Sequence, residues 1–451
     1  MWVKFKKRLA KLSPVQIITG YYFAAVSIST ILLSLPVATK SGVQWTFIDA
    51  LFTAVSAVSV TGLSVVNTVD TFSVTGIFFL MFILQFGGIG IMSLGTFFWL
   101  LLRKKIGLKE RQLIMTDQNQ TQLSGSVKLL IELIKIFLII EFIGAIVLGI
   151  HFLSYYVDWR EAFLHGLFLS ISSTTNAGFD ITGLSMIPYH GDYFIQFVSI
   201  LLLTLGAIGF PVLIEIKDFL SSRDRTYKFR FSLFTKITSV TFLSLVVAGT
   251  VLIILLEFKG FFVGKSWHET FFYSLFMSSN TRSGGLATMD VSEFSEATLL
   301  VMSGMMFIGA SPSSVGGGIR TTTFAVMVLF LWNYARGRKT IKVFNREIYE
   351  DDIHKATAVM MGGIVLCTVS TFILSITEQL SLTDILFEVC SAFGSVGLST
   401  GVTPDLSNIG KFVIMVLMFI GRVGITSFLL ILGRREKTDN YHYPKEKIIV
   451  G

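Results

Sequence analysis

Four short stretches of this 451-residue chain share a closing glycine and little that could react: Ser59, Val60, Thr61, Gly62; Thr175, Asn176, Ala177, Gly178; Arg282, Ser283, Gly284, Gly285; and Ser395, Val396, Gly397. None offers a paired acid and base or an activated nucleophile. What they offer is backbone carbonyl oxygen, and a ring of carbonyls can replace the hydration shell of a monovalent cation. Glycine suits that use, because a backbone turned outward needs φ values that a Cβ disfavours. A single glycine of this kind reads better as a close contact between packed helices. Four at matched positions, each after an apolar run too short for a hydrocarbon core that needs about 20 residues of helix, read as one site built in quarters.

The rest of the chain places that site in a membrane. Hydrophobic residues make up 52% and charged residues 15%, against about 25% charged in soluble domains, and the mean hydropathy is +0.71. The basic start WVKFKKRLAK leads into an apolar stretch, 15–37, with no small-residue cleavage site after it; it reads as a first spanning helix rather than a signal peptide. Cys367 and Cys390 both fall in apolar segments, and six scattered histidines show no metal-binding spacing, which argues against a disulfide framework or a metal cluster. The net charge of +8 is not a nucleic-acid signature, because 25 of the 37 Lys and Arg residues lie in 1–14, 103–126, 221–232, 336–355 and 433–451. That bias places both termini and three loops in the cytoplasm of a multi-pass cell-membrane protein, with the basic loops against anionic lipid.

Four segments align around the glycines: 47–64, 159–180, 267–287 and 382–399. Each opens on an acid (Asp49, Glu161, Glu269, Asp384), and the closing glycines are 116, 107 and 112 residues apart. The acids suit the positive ends of half-helices and could also concentrate cations at an outer mouth. Long apolar runs flank every segment. The expected fold is an all-α polytopic membrane protein of four tandem repeats, each helix, pore half-helix, filter loop, helix, about a pseudo-fourfold pore with eight spanning helices. The repeats would occupy 15–102, 127–220, 233–335, with a broken second helix, and 354–432, between cytoplasmic segments 1–14 and 433–451. Irregular backbone at membrane depth is tolerated only inside protein or along a water-filled cavity, so four such loops imply a common lumen.

A second matched feature lies 24 to 28 residues beyond each glycine: GGIG (87–90), GAIG (206–209), GASP (309–312) and GRVG (421–424). In the third copy Pro312 and Gly316, Gly317 and Gly318 cannot continue a helix. The run Gly309, Ala310, Ser311, Pro312, Ser313, Ser314 and onward to Gly318 therefore reads as an intramembrane loop that obstructs the path, unless it is a passive kink. In the fourth copy Arg422 is a full charge in an apolar helix, either opposing cation passage one step below the ring or serving as a buried structural charge paired with a loop carbonyl or an acid.

The SVTGL, TNAGF, TRSGGL and SVGL segments, the GGGIRTTTF loop and FIGRVG together resemble the Ktr/Trk/HKT superfamily of potassium transporters over nearly the whole chain, and its KtrB-type branch most. The resemblance implies potassium uptake through filter carbonyls, a gating loop at 309–318 opposed by Arg422, and sodium as an activator. It also implies a homodimer on a cytosolic ring of RCK-type regulatory subunits, KtrA- or KtrC-like, which bind the ATP or ADP that this chain does not. The tail YHYPKEKIIVG resembles the segment at the dimer and regulator contacts. No copy has the Tyr of the tetrameric channels' TVGYG filter, and Arg282 is expected to put positive charge near the mouth. A coupled solute transporter with broken helices remains the alternative. An intramembrane hydrolase would have to rely on His151 or His165.

Overall fold

The computed structural model describes residues 14–43, 45–90, 126–221 and 229–432, with isolated positions besides. The expectations for the N-terminal segment before 14, the end of the run to 102, most of the 103–126 loop and the tail after 432 lie outside the described residues. The chain is predominantly helical. The first repeat holds α1 (Pro14–Leu33), the short α2 (Phe47–Ser59) and α3 (Val74–Ile89). The second holds α4 (Ser126–Phe152), α5 (Trp159–Thr174), α6 (Tyr193–Ala207) and α7 (Phe210–Ser221). The third holds α8 (Leu233–Glu257), α9 (Trp267–Asn280), α10 (Glu296–Ile308) and α11 (Thr321–Ala335). The fourth holds α12 (Glu350–Thr377), α13 (Leu382–Gly394), α14 (Asn408–Val423) and α15 (Ile425–Leu432).

Four of these helices, α1, α4, α8 and α12, are long and apolar enough to cross a membrane among the described residues, and α6 and α7 together pass the same test across a break that bends them by 104°, as a broken span or a re-entrant loop does. Their outward faces are apolar: Ile139, Phe142, Ile143 and Ile150 on α4 are all exposed, as the lipid-facing side of a span must be. The second helix departs from the sequence reading. A break was expected only in the third repeat, yet the runs 193–220 and 410–432 are also interrupted, at Gly209 (φ 103°) and Gly424 (φ 89°), and α3 ends against Gly90 (φ 98°). The last glycine of each of the three G-x-x-G segments takes a positive φ, which stops the helical hydrogen-bond ladder; in the second repeat Pro211 follows in the first turn of α7. A second departure is a small antiparallel hairpin, β1 (Lys342–Val343) with β2 (Arg346–Glu347), turned at Phe344 and Asn345, both at positive φ. It sits in the basic 336–355 connection, where only loop was expected.

The short helices start where their acids cap them. Thr46 with Asp49 and Ser266 with Glu269 form capping boxes, and Ser381 accepts from the Asp384 amide. In α5 the cap is Asp158, accepting from the Arg160 amide at 3.0 Å, and Glu161 only occupies the first turn.

Each second helix is in turn pegged at its N-cap to the end of the first. Ser73 Oγ donates to the Val37 carbonyl (2.6 Å), and His151 Nε2 meets Asp192 Oδ2 (2.6 Å). The Ser295 amide and hydroxyl donate to Glu257 (2.9 and 2.6 Å), and those of Ser407 donate to Glu378 (2.9 and 2.5 Å). Burial opposes charge on Asp192, but bonds from His151, the Ile195 amide and Tyr155 hold its carboxyl below the usual range. The pegs differ chemically and recur in position, which fixes how each short helix is slung between its two long ones.

Glu257 also accepts from Thr298 Oγ1 and the Phe261 amide and is 1% exposed, so Glu257→Ala strands four donors. Thermal or denaturant unfolding of the purified protein should show a loss of about 1–3 kcal/mol. The exposed Glu293→Ala should stay within about 0.5 kcal/mol of the parent.

Candidate ion site

The four glycine loops meet. A β-carbon placed on Gly62 would fall 2.4 Å from the Ala177 carbonyl oxygen and 2.9 Å from Gly178 Cα. On Gly178 it would fall 2.9 Å from Gly285 Cα, and on Gly285 it would lie 2.5 Å from the Val396 oxygen and 3.3 Å from Gly397 Cα. On Gly397 it would strike the Thr61 oxygen at 2.2 Å and lie 3.0 Å from Gly62 Cα. The contacts thus run from repeat 1 to 2, 3 and 4 and back to 1, a closed ring with no room for any side chain. The C-terminal ends of α2, α5, α9 and α13 lead directly into it, so four partial negative helix ends converge on one place.

The loop backbones carry a pattern that residue types alone did not reveal. The four glycines have φ of 92°, 69°, 72° and 94°, and two residues before each stands a non-glycine in the left-handed region: Val60 (56°), Asn176 (54°), Ser283 (80°) and Ser395 (48°). For β-branched Val60 this is a strained conformation, tolerated only where surroundings over-determine it. Part of what determines it in three of the loops is a serine six residues ahead of the glycine, Ser56, Ser172 and Ser391, which the sequence reading passed over; Ser279, at the same place in the third loop, makes no hydrogen bond through its hydroxyl among the described residues. Ser56 Oγ accepts from the Gly62 amide and Ser391 Oγ from the Gly397 amide, each at 3.1 Å. Ser172 Oγ donates to the Phe179 carbonyl (2.5 Å). In the third loop the brace is Asn280 Oδ1, accepting from the Leu286 amide at 3.0 Å. The spacing was visible in the aligned segments; the hydroxyls' task was not. In the second loop Thr175 Oγ1 donates to the Ile171 carbonyl at 2.7 Å, and the Asn176 amide reaches the carbonyls of Ser173 (2.8 Å) and Leu203 (3.2 Å).

The 309–318 loop packs against the underside of this ring. A β-carbon on Gly316 would meet Ser283 Oγ at 2.4 Å, and one on Gly317 would meet Ser395 Oγ at 2.5 Å. The loop is held from the second repeat, where the Ser311 and Val315 amides donate to the carbonyls of Ala207 (3.1 Å) and Gly206 (3.3 Å), and the Phe210 amide donates back to Ser313 (2.7 Å). It is held from the fourth repeat by Arg422, whose guanidinium donates to the Val315 carbonyl and also to those of Gly87 and Gly88. These contacts with backbone carbonyls are of the kind expected of a buried structural charge, and the other reading, a charge that opposes cation passage, concerns the same residue's place beneath the ring. The sequence reading did not single out Arg320, which donates to Gly316 and Ser311 within the loop. Both arginines border a cavity of about 250 Å³ beneath the loop, which Tyr22, Gly88 and Ser314 also line.

Two expectations are corrected. Arg282 puts no charge at a mouth: its side chain is fully buried and donates to the Met305 carbonyl on α10 and toward Thr281 Oγ1, so only its backbone belongs to the ring. Asp49 is not free to gather cations, because Lys411 on α14 pairs with it at 2.8 Å. His151 is engaged with Asp192, and His165 stacks on Tyr156. Neither faces a nucleophile, and among the described residues no three His, Cys, Asp or Glu side chains gather as metal ligands.

Comparison with known proteins places the chain in a class. The TrkH family, described as cation transport protein, matches residues 3–441, and the chain belongs to that family of membrane cation transporters; it is not an enzyme. It is 60% identical to the Ktr system potassium uptake protein D of Bacillus subtilis, over the whole of both chains. It is 35% identical to the Ktr system potassium uptake protein B of the same organism, covering 100% of this chain and 98% of that one. Among solved structures, the potassium transporter TrkH from Vibrio parahaemolyticus superposes with a TM-score of 0.73 at 20% identity, covering 94% of this chain and 86% of that one, which establishes the shared fold.

The Asp49–Lys411 pair joins the first short helix to the fourth repeat with side chains only 15% and 12% exposed. A double-mutant cycle of Asp49→Asn and Lys411→Met, read by thermal unfolding, should return a coupling energy of about 1 kcal/mol or more, well above the additivity of distant sites.

Proposed function

We propose that this protein carries potassium into the cell through the glycine ring, which serves as a selectivity filter. The observation that carries the reading is the closure of the ring: four loops from one chain, each contacting the next through backbone alone. A backbone whose φ alternates in sign turns successive carbonyls to one side. The residues 59–62, 175–178, 282–285 and 395–397 would thereby present oxygens to a dehydrated cation. Four glycine closures without a TVGYG tyrosine give fewer carbonyl layers than a tetrameric channel, hence modest discrimination. The full arrangement is then eight spans about a pseudo-fourfold axis, with the acids at the outer face. Potassium here is cargo, and the names borne by the two Ktr-system relatives support it as the ion.

The 309–318 loop is the gate, closed where its glycines press on Ser283 and Ser395 and where Arg422 holds Val315. Opening moves the loop toward the cavity beneath it. The family resemblance supplies the remaining parts: sodium as activator, a homodimer, both termini cytoplasmic in the plasma membrane, and a cytosolic RCK-type ring that binds ATP or ADP and drives the loop. The hairpin at 342–347 lies in one of the connections that would face such a ring.

Two measurements test this in cells lacking their own potassium uptake. Gly285→Ser puts a side chain where a β-carbon already meets the Val396 oxygen, and should lower the ratio of potassium to sodium uptake by several-fold while protein remains in the membrane. Removal of residues 313–317 takes away the loop's contacts with the ring, and tracer rubidium uptake should rise above the parent level. Unchanged selectivity in the first together with unchanged rate in the second would remove the filter and gate assignments.

A further inference from the structure

Glu141 lies midway along α4, a spanning helix, and is only 4% exposed. Among the described residues its side chain has one hydrogen-bond partner, Gln85 of α3, whose Nε2 donates to Glu141 Oε2 at 2.5 Å. Two oxygens of this pair, Glu141 Oε1 and Gln85 Oε1, are buried and have no hydrogen-bond partner. No Lys, Arg or His among the described residues forms an ion pair with Glu141.

The surrounding elements hold no charge at that depth. Neither α3 nor α6 contains an Asp, Glu, Lys, Arg or His. The charged residues of α5, Arg160, Glu161 and His165, sit in its first two turns. Those of α7, Glu215, Lys217 and Asp218, lie where Lys217 pairs with Glu132 near the start of α4. On α4 itself Lys128, Glu132 and Lys135 precede Glu141 by more than a turn, and His151 follows it by more than two.

An ionised carboxylate in such a place costs several kcal/mol unless a cation or several donors answer it. A single proton answers both orphaned oxygens at once. Placed on Glu141 Oε1, it is donated to Gln85 Oε1 while the Gln85 amide donates to Glu141 Oε2, closing a cyclic acid–amide pair. We propose that Glu141 is a proton-binding site, a neutral carboxylic acid paired head to head with Gln85 inside the membrane.

The site is wired to both halves of the pathway. The Glu141 carbonyl accepts from Ser170 Oγ (2.8 Å) on α5, two residues before the Ser172 brace of the second loop. Gln85 stands two residues before Gly87, whose carbonyl accepts from Arg422. Loss of the proton places a negative charge between the second glycine loop and the carbonyls that hold Arg422, loosening the contact beneath the ring. The protonation claim itself does not depend on the ion that the ring carries.

Infrared spectroscopy of the full chain in lipid bilayers tests it. At neutral pH the parent should show a carbonyl band of a protonated carboxyl group that is lost in Glu141→Gln. In Gln85→Met the band should persist and shift to higher frequency, as an acid freed of its amide partner does. An unchanged band in both variants overturns the proposal, as does a parent band that vanishes when sodium or potassium chloride is added at constant pH, since that assigns the orphaned oxygens to a metal cation. Should Glu141→Gln fail to fold, the Gln85→Met shift alone decides. Rubidium uptake supplies the coupling test: it should rise as pH rises in the parent and become flat in Glu141→Gln, and an identical pH dependence in both excludes the link to the gate.

Discussion

Backbone polar groups inside a bilayer must find partners within the protein, and that constraint governs nearly everything distinctive in this chain. Each unsatisfied amide or carbonyl in hydrocarbon costs several kcal/mol, yet the described residues carry non-helical backbone in four glycine loops and at three breaks of second helices. The solution is mutual. The breaks in the second repeat supply carbonyls to the 309–318 loop, the loop supplies one back to Phe210, and the Ile319, Arg320 and Thr321 amides return to Phe307, Ile308 and Ala310 at the other end. No one of these irregular segments could exist at that depth without the others, so the ring and the loop beneath it form as a unit.

The arginines follow the same logic. A guanidinium has five donors and no acceptor, and here Arg320 and Arg422 direct theirs to backbone carbonyls, while Arg282 reaches the Met305 carbonyl through Nη2 alone, its Nε and Nη1 having no partner among the described residues. Carbonyls at helix breaks are the acceptors left over when a ladder stops, so the breaks and the buried cations satisfy each other. A carbonyl partner also holds less tightly than a buried carboxylate would. Arg422 divides its bonds between Val315 on the loop and Gly87 and Gly88 on α3. It can therefore release the loop while keeping acceptors on α3, which a buried Arg–Glu pair would not permit.

Much of this was legible in the residues, and the limits have physical reasons. The repeats announced themselves because a re-entrant helix needs a cap at one end and a glycine at the other, and both are residue types. Arg422 and the Pro312–Gly318 loop were legible because charge and proline are conspicuous in apolar helices. The break at Gly424 was missed because glycine inside a long apolar run is compatible with a continuous span; that at Gly209 had a further mark in Pro211, which went unread because proline is also accepted in spanning helices. Arg282 was misplaced for a related reason: its position in the loop fixed its backbone, while the side chain went to the carbonyl of Met305, which also accepts from the Gly309 amide, at a distance no local pattern encodes. The left-handed residues at Val60, Asn176, Ser283 and Ser395 are of three residue types, so no one identity marks them.

Those four left-handed residues separate what is rigid here from what can move. Each costs about 1–3 kcal/mol and persists only because its surroundings leave no alternative. The surroundings are the serine and asparagine braces, together with ring neighbours so close that no β-carbon fits. Relaxing one loop would require its neighbours to shift, and the closure of the ring passes that demand back to the starting point, so strain is locked in rather than released. The 309–318 loop is constrained differently. Its bonds run to carbonyls and side chains that can find other partners, and a cavity of about 250 Å³ adjoins it. Stiffness above and exchangeable contacts below let the same small residues serve in both places: glycine is fixed where four backbones close on one another, and movable where a cavity lies alongside.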